Sequence, residues 1–173
     1  VCQQQLLPST RVRARFHRHP PVVAALGARV GRTPATTGGM AEARDTGVSL
    51  PSGTLYLAQR PMPARRLIAA GVPLAVATDF NPGSAPSYHL PLALTLACTL
   101  QRMTPAEALK GATSIAARAI GLEEECGTIA VGRRADFCVI DAPDVNTWLY
   151  HFRPNACVRT VIAGETVWAS SGS

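Results

Sequence analysis

Apolar and polar positions fall into regular patterns only from Val48 onward. Val48–Leu50 is a short apolar run closed by Pro51-Ser-Gly53, which predicts a strand and its stop. Pro61–Ala70 reads as a helix, with prolines at its start, Leu67 and Ile68 as apolar positions, and Gly71 as its end. Val72–Thr78 is almost continuously apolar, the pattern of a strand covered on both faces, as in parallel α/β sheets. Strand, helix and strand make one β/α unit. Leu90–Leu100 predicts an apolar helix. Thr104, Pro105 and Glu107 then spell a capping box. The helix it opens carries Ala108, Leu109, Ala112, Ile115, Ala116 and Ala119 as a 3-4 spaced stripe that runs to Gly121. Beyond Gly127 the period shortens. Gly127–Asp141 predicts two short strands around Gly132-Arg-Arg134, and Val158–Ile162 and Glu165–Trp168 bracket an Ala163-Gly164 hairpin turn.

Residues 1–44 show none of this order. They hold seven arginines (11, 13, 15, 18, 29, 32, 44) against one acid, Glu42, and so carry the whole net charge of +6. The remaining residues are neutral. The stretch Pro21–Ala28 is too short, starts with proline and meets Arg29 too soon for a signal peptide. A basic arm for nucleic acid is also disfavoured, because only Phe16 interleaves with the arginines. His17 and His19 form a His-x-His pair, but Arg13, Arg15 and Arg18 around it oppose a cation, so it reads as a solvated basic stretch. The first residue is Val rather than Met, so the start is expected to be a truncation.

At 173 residues and 47% apolar the chain is long enough for about one domain with a buried core. No apolar run reaches the ~20 residues that cross a bilayer. The five cysteines form an odd set without a Cys-x-x-Cys pair, and Cys98 and Cys138 sit in apolar runs where reduced, buried thiols are expected. A reducing compartment, the cytoplasm, follows.

The candidate chemistry lies directly after the Val72–Thr78 strand, in Asp79-Phe-Asn-Pro-Gly-Ser84. Loops at the carboxyl ends of strands carry the chemistry of α/β barrels. Asp79 therefore stands as a candidate at the mouth, with a turn-forming or helix-capping Asp as the alternative. A carboxylate there is too costly to bury alone, so a cation or hydrogen-bond donors should meet it. Asn81, Pro82 and Gly83 predict a tight turn that exposes backbone amides nearby. His89 reads as a loop or helix-start residue, and His151 as a surface or packing residue.

The runs Leu50–Gly53, Ala69–Leu74, Ala77–Ser84, Arg102–Leu109, Ala116–Leu122 and Gly127–Asp136, in this order, resemble the imidazolonepropionases, histidine-degrading hydrolases of the amidohydrolase superfamily. The resemblance covers residues 45–168, the C-terminal third of such an enzyme, and leaves 1–44 outside. It implies an α/β architecture: the C-terminal part of a (β/α)8 TIM-like barrel followed by a small β-sandwich segment. Residues 45–122 would be the last β/α units, 123–173 the sandwich portion, and 1–44 an anomalous segment that is disordered or unlike the native family. The implied cofactor is one divalent ion, zinc or iron, bound by the intact enzyme. Asp79 aligns with its aspartate ligand, which also serves catalysis. Asn81, Gly83 and Ser84 align with substrate-binding residues.

The implied reaction opens the small molecule 4-imidazolone-5-propanoate to N-formimidoyl-L-glutamate with a metal-activated water. Neither nucleic acid nor membrane is implied as a partner, and a homodimer of the intact enzyme stays open. The family's other metal-binding histidines lie upstream of this match, so the chain alone is expected to be inactive. Unpaired strand edges and uncovered apolar faces are expected to invite aggregation. An amidohydrolase or deaminase acting on another cyclic amide or amidine is the alternative, and a basic nucleic-acid-binding module the more distant one. A shifted reading frame upstream of Asp45 would account for the arginine excess and the absent pattern together; a divergent or spliced segment would too.

Overall fold

The computed structural model describes residues 23–25, 45–152 and 155–171. Three short strands, β1 (Val23–Ala25), β2 (Thr46–Ser49) and β3 (Leu74–Val76), lie side by side in that order and all run parallel. β1 falls inside the segment that patterning left unassigned, and its register is Val23 opposite Thr46 and Ala25 opposite Val48. Two helices connect β2 to β3: α1 (Pro51–Tyr56) and α2 (Ala64–Ala69). Proline at the first helical position costs α1 no hydrogen bond, so Pro51 starts a helix as well as stopping a strand. The Thr54 hydroxyl donates to the Leu50 carbonyl at 3.1 Å and holds the first turn to the strand end. Gly71, at φ 82°, ends the α2 region.

The predicted β3 is buried throughout. It is covered by α3 (Leu90–Gln101), α4 (Pro105–Ala112) and α5 (Ser114–Ala119), with α6 (Val145–Tyr150) packed on α3 and α4. The core joins Leu67, Val72, Leu74 and Val76 with Ala93, Leu94, Ala97, Met103, Ala108 and Leu149. The capping box opens α4 as patterning required: the Glu107 amide donates to the Thr104 hydroxyl, and the Thr104 amide donates to the Glu107 carboxylate. Arg65 from α2 adds an ion pair to that same carboxylate.

The single helix expected from Thr104 to Gly121 is two helices. Thr113, at φ −123° and ψ −98°, ends α4 and starts α5. An apolar stripe continues across such a break, so periodicity alone does not reveal it. The α6 helix is too short for a clear period, although Asp144 caps it by accepting from the Thr147 amide at 2.7 Å.

The last three strands, β4 (Phe137–Ile140), β5 (Cys157–Ile162) and β6 (Glu165–Ala169), form a separate antiparallel sheet in that order. Ala163 (φ 52°) and Gly164 (φ 84°) make the expected two-residue turn, the left-handed pair that matches strand twist. The Asp136 carboxylate accepts from the Ala163 amide at 2.8 Å. The strand expected before Gly132 does not form. Ile129 and Val131 are 89% and 106% exposed, and alternation cannot make a strand without a neighbour to pair with. β4 and β6 are exposed along nearly their whole lengths. Cys138, expected to be buried, is therefore exposed, whereas Cys98 is half-buried and its thiol is pushed up by burial and by Glu107.

Two outcomes follow for stability. A side-chain carbon at Gly111 would sit 2.9 Å from both the Leu74 carbonyl oxygen and a Val76 methyl. Gly111→Ala should destabilise the fold by about 1–3 kcal/mol, read from urea unfolding. The Arg65 hydrogen bond, then those from Thr104, hold Glu107 below its ordinary value of 4.5. Its folded value is depressed, so its contribution is present above pH 4.5 and is lost as pH falls through the folded value. Glu107→Gln should flatten that acid limb of the stability–pH curve and cost about 1 kcal/mol at neutral pH, measured by thermal unfolding against pH.

Candidate active site

Parallel pairing brings the carboxyl ends of β2 and β3 together. Ser49 pairs with Val76, and the Ala77 amide donates to the Ser49 carbonyl at 3.0 Å. From this edge α1 leaves β2 and the Asp79 loop leaves β3. Asp79 adopts φ 54°, a left-handed conformation that aspartate and asparagine tolerate better than other side-chain-bearing residues. This backbone turn carries the chain out of the sheet one residue after Thr78.

Asp79 is exposed, and among the described residues nothing donates to or pairs with its carboxylate. The donors or cation expected to meet it are not among them. Gly53 in α1 lies beside it: a side-chain carbon there would stand 3.5 Å from Asp79 Oδ2 and 3.7 Å from the Ser84 carbonyl. Gly53 thus stands within van der Waals reach of the carboxylate. In the sequence Gly53 is only part of a strand stop, and its placement beside Asp79 across 26 residues has no local signal.

Asn81, Gly83 and Ser84 form one hydrogen-bonded turn that also engages the Asp79 backbone. The Asn81 Oδ1 accepts from the Gly83 amide (3.0 Å), the Ser84 amide (2.8 Å) and the Ser84 hydroxyl (3.2 Å). Its Nδ2 donates to the Asp79 carbonyl at 2.7 Å, and its backbone amide donates to Ala85 at 3.1 Å. The turn amides expected to be exposed are therefore turned inward onto the Asn81 side chain. An asparagine amide satisfies them locally, which an extended sequence pattern does not show. Phe80 and Tyr88 flank the turn with their rings edge to face at 5.1 Å.

His89 is the helix-start residue expected. It caps α3, its Nδ1 accepting from the Leu92 amide at 3.2 Å. His151 is exposed at the end of α6, edge-on to Tyr150. His17 and His19 lie outside the described residues. Among the described residues no group of three or more His, Cys, Asp or Glu is placed to hold an ion. Asp79 fits one ligand position for a divalent cation, as an exposed and unengaged oxygen donor. A complete site needs three or four protein ligands.

The pattern of the amidohydrolase family matches residues 22–167. The chain belongs to the amidohydrolase family. The match starts upstream of the 45–168 span covered by the motifs, and it takes in β1. The chain is 42% identical over 128 residues to an imidazolonepropionase from Shouchella clausii and 43% identical over 133 residues to one from Geobacillus kaustophilus. These alignments cover 74% and 77% of the chain but only 29% and 31% of the relatives, so this amidohydrolase chain spans less than a third of their length. Its fold is also similar to that of an adenosine deaminase from Xanthomonas campestris solved with bound zinc. That match has a TM-score of 0.75 and 26% identity, over 83% of this chain and 36% of the other.

The Asn81 network yields its own test. Asn81→Ala removes the shared acceptor, and the Gly83 and Ser84 amides should exchange with solvent about tenfold faster. Global stability should fall by no more than about 1 kcal/mol, since the loop is exposed. Hydrogen exchange read alongside urea unfolding measures both.

Proposed function

We propose that this chain is the C-terminal portion of an imidazolonepropionase-like hydrolase that cleaves a carbon–nitrogen bond in the cyclic amide of 4-imidazolone-5-propanoate. The observation that carries the proposal is the free Asp79 carboxylate at the carboxyl end of a buried parallel strand. It lies within a stretch more than 40% identical to imidazolonepropionases. Residues 45–122 are then the last β/α units of a (β/α)8 barrel, and 123–173 the C-terminal portion of a small β-sandwich. Residues 1–44 are a segment of anomalous, arginine-rich composition that contributes β1.

Asp79 is the residue of this chain that would hold a divalent ion, zinc or iron, and the solved zinc-bound adenosine deaminase supports that class of cofactor. Such an ion, when bound, makes water acidic enough to serve as a nucleophile at neutral pH. Beside such an ion, the Asp79 carboxylate would be the group of this chain able to take a proton from the attacking water and to return it to the ring nitrogen that leaves. Oxygen is thereby added to the carbonyl carbon and hydrogen to the leaving nitrogen, which completes a hydrolysis. The Asn81–Ser84 turn holds the loop in one shape beside the carboxylate, and Gly83 and Ser84 present it to the substrate. Among the described residues no cluster supplies the three or four protein ligands that such an ion needs, and Asp79 would be one of them. The substrate is a small molecule, and among the described residues no helix is long and apolar enough to cross a membrane. The similarity to an adenosine deaminase favours a second reading, hydrolysis of another cyclic amide or amidine at the same carboxylate.

A hybrid tests both readings. Residues 45–168 would replace the matching stretch of the Geobacillus kaustophilus imidazolonepropionase. The hybrid should convert 4-imidazolone-5-propanoate to N-formimidoyl-L-glutamate, and Asp79→Asn should lower kcat about 10³-fold. Full turnover of the Asp79→Asn hybrid would remove the assignment; faster turnover of adenosine than of the imidazolone would favour the second reading.

A further inference from the structure

Ser49 is the last residue of β2 and Gln101 the last of α3, and their side chains are 0% and 3% exposed. The Ser49 hydroxyl donates to Gln101 Oε1 at 2.6 Å, a buried side-chain bond that joins residues 52 apart. Gln101 Nε2 is also buried, and no group among the described residues accepts from it. An unmatched buried donor is a cost to stability, whereas replacing both partners by apolar groups is nearly neutral. Core stability therefore does not explain why two polar side chains meet here.

Position does explain it. Ser49 stands where both mouth segments begin. Its carbonyl accepts from Ala77, two residues before Asp79. Its successor Leu50 caps α1, in which Gly53 lies beside the Asp79 carboxylate. We propose that Gln101 is a positioning residue that, through Ser49, fixes the carboxyl end of β2 and so sets Gly53 and the Leu50–Thr54 turn against Asp79. This role rests on the reading of Asp79 as the reacting carboxylate.

The decisive variant removes the bond without leaving an orphan donor: Ser49→Ala with Gln101→Leu. In the full 173-residue chain its thermal midpoint should stay within about 3 °C of the parent. The amides of residues 50–57 and 77–85 should exchange about tenfold faster, while those of α4 keep their protection. In the active hybrid, kcat should fall about tenfold or more with KM changed less than about threefold, because misplacement is felt in the transition state. Gln101→Leu alone should lower kcat equally but also lower the thermal midpoint, since Ser49 loses its acceptor. Equal acceleration of exchange across the whole chain would show a merely structural pair and overturn the proposal. Unchanged exchange in 50–57 and 77–85, or unchanged kcat, would overturn it as well. If the hybrid with Ser49 and Gln101 intact fails to hydrolyse the imidazolone, the functional reading fails, and the exchange data still decide whether the pair positions the mouth.

Discussion

The close approach of α4 to the backbone of β3 is the contact on which the described structure depends. It exists because Gly111 has no side chain, leaving the helix in touch with the Leu74 carbonyl and the Val76 side chain. Ala108, one turn earlier, is fully buried on the same helix. With β3 held from that side and β2 paired along its edge, the ends of two parallel strands are placed together. Every feature of the candidate site hangs from that edge. A bulkier residue at 111 would push helix and strand apart and move the Asp79 loop with them.

At the edge itself, polar groups divide into two kinds. Asn81, Ser84 and the Gly83 amide satisfy one another, so the turn keeps its shape without help from the rest of the chain. The Asp79 carboxylate is left out of that network, with Gly53 beside it. The backbone of the turn is thus held by its own hydrogen bonds, while none among the described residues holds the Asp79 side chain. The fold thus spends its hydrogen bonds on geometry and leaves its acid available.

The second sheet is organised differently. Its hairpin is well closed, by a left-handed turn and by Asp136 on the turn amide. Its faces nevertheless expose Phe137, Val139, Val167 and Trp168, and the neighbouring Ile129 and Val131 lie almost wholly in solvent. Apolar surface on this scale is the kind that other protein surfaces usually cover.

Local sequence determined the elements whose causes are local. The buried run at β3, the Thr104–Glu107 capping box, the Ala163-Gly164 turn and the position of Asp79 after a strand all follow from neighbours within a few residues. The family resemblance was legible for the same reason, because its motifs are contiguous. Tertiary structure decided what depends on distant residues. Gly53 lies beside Asp79 because parallel pairing aligns two strand ends. Ser49 finds Gln101 across 52 residues through the packing of α3. Ile129–Val131 alternates like a strand, yet stays unpaired among the described residues, because hydrogen bonds between strands need a second chain segment that no pattern within one run can supply.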